Sequence, residues 1–284
     1  DHWIVNAQDF YEYPTIRKLA AIISKRLEHK SEAVKEEPLS YPCIKEIGYS
    51  LQNCRPSSSG SILLTGSTGF LGSHILKSLV ADYPGRIFCL IRGKEPESRL
   101  TELYRSYFRE ELADLLSSKI TILNGDIREK GFGLSEADSK MLAEEVAIVI
   151  HCAALVKHYG SYSDFKKVNV GGTEQIIDFC KEFGKHLYYV STISVSGNYM
   201  SNGQQKNTFS EKDLYIGQDY KNNVYIRSKF EAECRVLEAK SEGLEATILR
   251  VGILTGRYTD GLFQYNIEGN AFYRKLKSIF EIKY

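Results

Sequence analysis

A tyrosine followed four residues later by a lysine is a spacing with chemical meaning, and it occurs four times in this chain. On a helix the two side chains share one face, where the ammonium group stabilises the phenolate and lowers the tyrosine pKa from its usual value of about 10. Such a tyrosine can donate a proton to an oxygen that gains negative charge. The pairs are Tyr41/Lys45, Tyr162/Lys166, Tyr225/Lys229 and Tyr273/Lys277. Spacing alone does not choose among them.

The elements that would position such a pair are strands alternating with helices. Six apolar runs predict strands, and longer segments with a helical period separate them. The runs are 61–65, 86–92, 119–126, 146–154, 186–192 and 245–251. Continuous apolar strands alternating with amphipathic helices favour a parallel sheet covered on both faces. The sequence therefore predicts a doubly wound α/β fold of the Rossmann type, with its ligand crevice at the carboxyl ends of the strands.

The segment TGSTGFLG follows the first predicted strand and opens the first predicted helix. Gly66 allows a tight turn, Gly69 allows backbone N–H groups to approach a pyrophosphate, and Gly72 allows close packing of the helix on the strand. The helix N-terminus adds a partial positive charge. The sequence therefore predicts a dinucleotide site at this loop.

Arg92 ends the second predicted strand, where a carboxylate would select NAD. A guanidinium group at this place can instead receive the 2′-phosphate of NADP, so Arg92 predicts NADPH. Lys94 and Arg99 nearby could assist Arg92, although solvent-exposed charges near a helix start are the favoured interpretation of both. Asp126, at the end of the third strand, could reach the adenine or could simply form a turn.

Position in this fold separates the four tyrosines. Tyr41 precedes the glycine loop, Tyr162 belongs to the crossover before the fifth strand, and Tyr273 follows the sixth strand. Only Tyr225 lies on the helix that joins the fifth strand to the sixth. Ser191 and Thr192 end the fifth strand, and because strand side chains alternate, only one of them can face the crevice.

The segments TGSTGFLG, HCAA (151–154), NVGGT (169–173), STISV (191–195) and YIRSK (225–229), in this order, resemble the extended short-chain dehydrogenase/reductase family. Within that family the chain is most similar to the terminal thioester reductase domains of nonribosomal peptide synthetases and carboxylic acid reductases, from about Ser61 to about Gly261. The resemblance implies that Thr192 is the catalytic hydroxyl, Tyr225 the proton donor and Lys229 its partner. Asn169 matches a supporting position.

The resemblance implies NADPH-dependent reduction of a carrier-bound acyl or peptidyl thioester to an aldehyde, and it leaves open a second reduction to the alcohol. An acyl-CoA reductase, a nucleotide-sugar epimerase-like enzyme and a non-catalytic NADP-binding regulator are the alternatives. The predicted cofactor-binding residues are Gly66, Ser67, Thr68, Gly69, Phe70, Leu71, Gly72, Arg92, Asp126, Ile127, Ala153 and Lys229.

The segment before the glycine loop has a different character. Residues 7–28 carry apolar side chains at helical spacing and resemble the closing helix of an acyl or peptidyl carrier protein, a phosphopantetheinyl domain. Residues 31–60 contain prolines and a serine run, which predicts a linker. The expected organisation is a carrier remnant at 1–30, the linker at 31–60, and an NADP-binding reductase domain at 61–284 whose C-terminal substrate region is incomplete. The expected partner is the carrier domain.

Bulk composition excludes several classes. The net charge is +1 with interspersed signs, which argues against a nucleic-acid or membrane surface. None of the apolar runs approaches the ~20 residues that cross a bilayer. The six cysteines show no C-x-x-C spacing, and no histidine motif suggests a metal. We therefore expect a cytoplasmic protein with reduced cysteines and no metal site.

Overall fold

A computed structural model describes residues 9–10, 13–28, 60–116, 118–197, 208–265, 267 and 270–282. An N-terminal helix, α1, spans Ile16–Glu28 within the predicted 7–28 segment. Except for Gly60, the predicted linker lies outside the described residues, and Tyr41 lies outside them with it.

Six parallel strands form one sheet in the order β3-β2-β1-β4-β5-β6. Their bounds are β1 Ser61–Thr65, β2 Ile87–Ile91, β3 Ile120–Asn124, β4 Val146–His151, β5 His186–Thr192 and β6 Ala246–Val251. All six predicted strands are confirmed. β4 ends three residues early, because beyond His151 the backbone turns to side-chain partners: Ala153 N–H donates to Thr65 Oγ1 and Leu155 N–H to Asn169 Oδ1.

Helices cover both faces of the sheet, as the doubly wound prediction requires. They are α2 Phe70–Asp82, α3 Pro96–Phe108, α4 Glu136–Glu145, α5 Tyr162–Phe165, α6 Gly172–Phe183, α7 Val224–Ser241 and α8 Ala271–Ile282, with a π-helical turn at Lys166–Gly171 between α5 and α6. Leu64 of β1 packs with α2 and α3, whereas its neighbour Leu63 packs with α4, α6 and α7. The alternation of strand side chains thus builds one apolar core on each face.

The strand order determines where the crevice lies. β1 stands between β2 and β4, so the chain winds outward in both directions from that pair. The carboxyl ends of β1, β4 and β5 are neighbours, with Thr65 opposite His151 and His151 opposite Tyr189. This is the topological switch point at which open α/β sheets bind their ligands.

Candidate active site at the carboxyl ends of β1, β4 and β5

The glycine loop is shaped by contacts that exclude side chains. Gly66 has φ +77°, and a Cβ there would lie 2.6 Å from Ala153 N; a Cβ on Gly72 would lie 2.0 Å from Gly66 O. Gly69 caps α2 without a side-chain hydrogen bond, and the first turn of α2 carries no acidic residue. Backbone N–H groups and the positive end of the helix therefore face the crevice, an arrangement that suits a pyrophosphate.

The other loop residues in the predicted cofactor set have varied environments. Ser67 is fully buried, and Thr68 is half-buried. The ring of Phe70 packs edge-on against Phe263, with centroids 4.8 Å apart. The role of Phe70 thus includes packing of the segment after β6 against α2. Cofactor contacts for these residues, and for Leu71, stay predictions.

Arginines gather near the ends of β2 and β3. The Arg92 side chain is 61% exposed, and its Nη1 lies 3.9 Å from Asp126 Oδ2. Arg99 Nη2 lies 3.4 Å from Thr68 Oγ1, a contact with the glycine loop that favours the assisting role of Arg99 over the interpretation as a solvent-exposed charge. A guanidinium group at each place suits a phosphate near the adenosine ribose.

Asp126 is engaged within the chain. Its carboxylate pairs with Arg128, whose Nη2 lies 2.6 Å from Oδ2, and this hydrogen bond lowers the pKa of Asp126. The side chain of Ile127 is buried in the core against Gly172. The adenine contact of Asp126 and the cofactor contact of Ile127 stay predictions. Sequence reasoning did not consider Arg128, whose spacing of two from Asp126 was the available signal.

Ser191 and Thr192 face opposite ways, as strand alternation requires. Ser191 Oγ donates to Glu233, which is fully buried and pairs with Arg250 at 2.7 Å. Ser191 thus belongs to an internal ionic network beneath the crevice. Thr192 ends β5 and accepts a hydrogen bond from Ser194 N at 3.2 Å. Its hydroxyl lies close enough to the Tyr225 side chain to lower the pKa of that tyrosine.

Tyr225 stands in the first turn of α7, where Asn223 is the N-cap residue. Burial raises the pKa of Tyr225, and the Thr192 hydroxyl opposes that rise. The prediction that Lys229 lowers this pKa is therefore wrong for this structure. The reason is geometric: Lys229 Nζ donates to Val190 O at 2.7 Å and to Tyr189 Oη at 3.3 Å, and the lysine is not among the groups that shift Tyr225.

Lys229 is the most deeply buried cation of the site, with 3% of its surface exposed. Burial lowers its pKa to about 8, although the nearby Cys152 and Glu233 oppose the shift. Below that pH the ammonium group carries its charge, and above it the charge is lost. Lys229 therefore supplies a positive charge to the crevice at neutral pH.

Asn169 joins α7 to the loop that follows β4, here called the β4 loop. Its Oδ1 accepts from Leu155 N at 2.7 Å, and its Nδ2 donates to Leu155 O at 3.0 Å and to Ser228 Oγ at 2.8 Å. Ser228 Oγ in turn donates to Tyr225 O. The predicted supporting residue is thus a structural bridge to the turn that carries Tyr225.

A second chain of hydrogen bonds runs from β1 to Asn169 and passes through His151, which sequence reasoning did not single out. Because Thr173 Oγ1 gives its hydrogen to Asn169 O, His151 must carry its proton on Nε2, and its Nδ1 therefore accepts from Thr65 Oγ1 at 2.7 Å. His151 Nε2 then donates to Thr173 Oγ1 at 3.3 Å, and Thr173 donates to Asn169 O at 2.6 Å. Burial lowers the pKa of His151 to about 3, which keeps it neutral.

Tyr162 and Tyr273, which also precede a lysine by four residues, make their contacts in other parts of the fold. Tyr162 Oη donates to Glu231, and the Arg227 guanidinium lies 3.9 Å from the centre of its ring. Tyr273 Oη accepts from Gly256 N at 3.3 Å. These contacts of Tyr162 and Tyr273 do not involve the described residues at the carboxyl ends of β4 and β5. The fold therefore brings together Thr192, Tyr225, Lys229 and Asn169 beside the glycine loop.

The part of the chain that the structure describes lacks two other kinds of feature. No cluster of three or more histidine, cysteine or acidic side chains there could hold a metal ion. None of the helices there has the length and apolar character needed to cross a membrane. Cys89, Cys152, Cys180 and Cys234 are all free thiols.

Comparison with known proteins places this geometry in a family. The family model described as male sterility protein, a nicotinamide-dinucleotide-binding family, matches residues 64–279. Glycine betaine reductase from Emericella nidulans is 32% identical over 228 residues, covering 76% of this chain and 17% of that protein. A linear gramicidin synthase from Brevibacillus parabrevis is 30% identical over 266 residues, covering 89% of this chain and 5% of that protein.

A solved structure agrees with these matches. The thiolation-reductase di-domain of an archaeal non-ribosomal peptide synthetase superposes with a TM-score of 0.69 and 39% identity, over 78% of this chain and 59% of that one. The chain thus spans only part of the length of each protein it matches. The described geometry and these similarities agree, and the chain belongs to the male sterility protein family of nicotinamide-binding domains, within the extended short-chain dehydrogenases/reductases.

Proposed function

We propose that this chain is the cofactor-binding and catalytic part of a reductase that releases a carrier-tethered acyl or peptidyl chain as an aldehyde. The observation that carries the proposal is the position of Tyr225, which Asn169 and Ser228 join to the loop after β4 and whose raised pKa the Thr192 hydroxyl opposes. The same loop packs on Gly66 of the glycine loop. Similarity to peptide synthetase reductase domains supports the thioester as substrate class.

The residues of the chain can each perform one part of the reduction. A bound nicotinamide cofactor supplies a hydride to the thioester carbonyl carbon. Tyr225, which its raised pKa keeps protonated at neutral pH, donates a hydrogen bond and then its proton to the carbonyl oxygen. Thr192 offers a second hydroxyl to the same oxygen, and the buried Lys229 ammonium adds positive charge to the crevice in which negative charge develops.

The product of that step is a hemithioacetal. It breaks down to the aldehyde with proton transfer in the opposite direction, towards Tyr225. Its hydroxyl proton returns to the Tyr225 phenolate, the carbon–sulfur bond breaks, and the sulfur leaves as a thiolate that takes a proton from water. Tyr225 is thereby restored without a net proton change, and the aldehyde and free carrier thiol remain. A second reduction of the aldehyde would use the same side chains.

NADPH is the proposed cofactor. Arg92 and Arg99 supply cationic groups beyond β2 that suit a 2′-phosphate, and no carboxylate stands at the end of β2. Lys229, which is within the crevice, is proposed to bind the nicotinamide ribose as well. Asn169 holds the site through Leu155 and Ser228.

The proposed partner is a phosphopantetheinyl carrier domain, and α1 is proposed to be its closing helix. The similarity to a thiolation-reductase di-domain supports this order of modules. Residues 1–30, 31–60 and 61–284 are the proposed carrier, linker and reductase segments. Free thiols at four described cysteines suit the reducing cytoplasm, which is the proposed location.

The test follows NADPH oxidation by the full-length protein with an acyl chain loaded on its carrier, beside the matching acyl-CoA. We expect faster oxidation with the carrier-bound chain and an aldehyde as the first product, measured by trapping with a hydroxylamine. Faster reaction with acyl-CoA would instead identify a free acyl-CoA reductase. No oxidation with either thioester would refute the proposal.

A further inference from the structure

The loop that follows β4 brings a histidine against the proposed proton donor. The His158 ring meets the Tyr225 ring edge-on, with centroids 5.2 Å apart and an interplanar angle of 69°. His158 is exposed to solvent, so the contact is not imposed by a closed core. Aromatic rings prefer such edge-to-face geometry, which restricts the motion of both.

The same imidazole is bonded to the start of α7. Asn223 Oδ1 accepts hydrogen bonds from Tyr225 N at 3.0 Å and Ile226 N at 3.1 Å. These two backbone donors determine which end of the amide is oxygen. Asn223 Nδ2, a donor, therefore faces His158 Nδ1 at 3.2 Å.

This contact determines the tautomer of His158. Because the Asn223 amide donates, His158 Nδ1 must offer a lone pair, and the proton of the neutral ring must lie on Nε2. A proton on Nδ1 would set two donors against each other and break the bond.

The β4 loop is thus tied to the first turn of α7 at two points. At its base, Leu155 is held by Asn169, which reaches Tyr225 O through Ser228. Three residues later, His158 contacts the Tyr225 ring directly and its backbone through Asn223. One tie locates the backbone of Tyr225, and the other limits the swing of its side chain.

We propose that His158, as the Nε2–H tautomer held by Asn223, is a positioning residue that keeps the Tyr225 ring directed at Thr192. The inference rests on the proposed function, since it concerns the proton donor of that reaction. Its effect must appear in the rate of proton and hydride transfer, because misplacing a reacting group by 1 Å costs about 100-fold in rate.

The kinetic test compares three substitutions of His158 in the full-length protein, with carrier-bound thioester and NADPH. We expect His158→Ala to lower kcat about 10-fold, less than a full 1 Å misplacement would, while KM and the NADPH Kd change by less than about twofold. His158→Asn should recover part of kcat, because its Oδ1 lies near the place of Nδ1 and can accept from Asn223. His158→Gln should not, because its carbonyl reaches the place of Nε2.

His186→Asn is the matched control. Like His158, His186 contacts a tyrosine ring, that of Tyr188 with centroids 4.5 Å apart, and a polar side chain, Thr247 Oγ1 at 3.3 Å, but it stands at the opposite end of β5. Its kcat should equal that of the wild type. Wild-type kcat in His158→Ala, equal loss in all three His158 variants, or a loss confined to KM would each overturn the inference.

A spectroscopic readout separates this inference from the proposed function. Nitrogen chemical shifts of ¹⁵N-histidine-labelled protein should show His158 with its proton on Nε2, and Asn223→Ala should release a mixture of tautomers. A proton on Nδ1 in the wild type would refute the positioning contact. Inactivity of the wild type on thioesters, with the Nε2–H tautomer present, would refute only the proposed function.

Discussion

The crevice has a cofactor half around the glycine loop and a catalytic half at the ends of β4 and β5, and the two halves use different chemical groups. At the glycine loop the ligand-facing groups belong to the backbone, and the side chains are absent because Gly66 and Gly72 leave no room for a Cβ. At the ends of β4 and β5 the functional groups are side chains joined in hydrogen-bond chains through His151, Asn169 and Ser228. The glycine loop should fail by steric exclusion, and the catalytic half by loss of a proton, a charge or an orientation.

Substitution of Tyr225 should break the catalytic half with the largest effect. Tyr225→Phe removes the proton donor, so we expect kcat for thioester reduction to fall about 100- to 10,000-fold. The NADPH Kd, measured by fluorescence, should stay within about twofold because the cofactor half is untouched. Tyr258→Phe, at a fully exposed tyrosine, is the control and should behave as the wild type. Full activity of Tyr225→Phe would remove the catalytic assignment.

Substitution of Gly72 should act on the cofactor half instead, by weakening the binding of NADPH. The new Cβ of Gly72→Ala would lie 2.0 Å from Gly66 O, so the loop must shift. We expect the NADPH Kd to rise about 100-fold, the equivalent of two or three lost hydrogen bonds. Gly252→Ala is the control, since nothing lies within 4 Å of its Cβ and its φ is not positive. Equal affinity in both variants would show that the loop does not hold the pyrophosphate.

Substitution of Arg92 or Arg99 in the cofactor half should weaken the binding of NADPH more than the binding of NADH. Arg92→Ala removes a charge-assisted contact to the 2′-phosphate, so we expect NADPH binding to weaken about 10- to 100-fold while NADH binding is unchanged. Arg99→Ala should weaken NADPH less, because Arg99 also bonds Thr68. Calorimetric titration with both cofactors measures the difference. An equal loss for NADPH and NADH would contradict the phosphate role.

The pH dependence of the rate tests the charge of Lys229 in the catalytic half, and we expect it to show the smallest effect. Burial lowers the pKa of Lys229 to about 8, so its ammonium group is present below that pH and is lost as the pH rises through it. We expect kcat/KM to fall on the alkaline side of pH 8, by about 10-fold per unit at most. Lys229→Arg keeps its charge and should lose this limb of the profile. An unchanged limb in that variant would assign the titration to another group.

The fold was predictable because its signals are local. Each apolar run between polar segments predicted one strand, and the alternation with helices predicted the parallel sheet. The sequence did not predict where β4 ends, because Thr65 and Asn169 take over its backbone bonds from distant positions in the chain.

The site was predicted in part. Tyr225 was separated from three equally spaced tyrosines by its place among the strands, and Thr192 from Ser191 by the resemblance to the family. His151 and His158 were missed as site residues, because each acquires its role from a partner at least 22 positions away. The pKa of Tyr225 was assigned the wrong direction, since spacing on a helix does not reveal where the Lys229 ammonium points.

The sequence by itself determined the doubly wound architecture, the glycine loop and the choice of Tyr225, because these depend on periodicity, on backbone freedom and on order along the chain. Only the tertiary structure decided that Ser191 bonds the buried Glu233, where Lys229 directs its charge, and how His151, Asn169 and His158 orient the first turn of α7. Those features depend on burial and on hydrogen bonds between residues far apart in sequence, and both arise when the sheet and helices pack together.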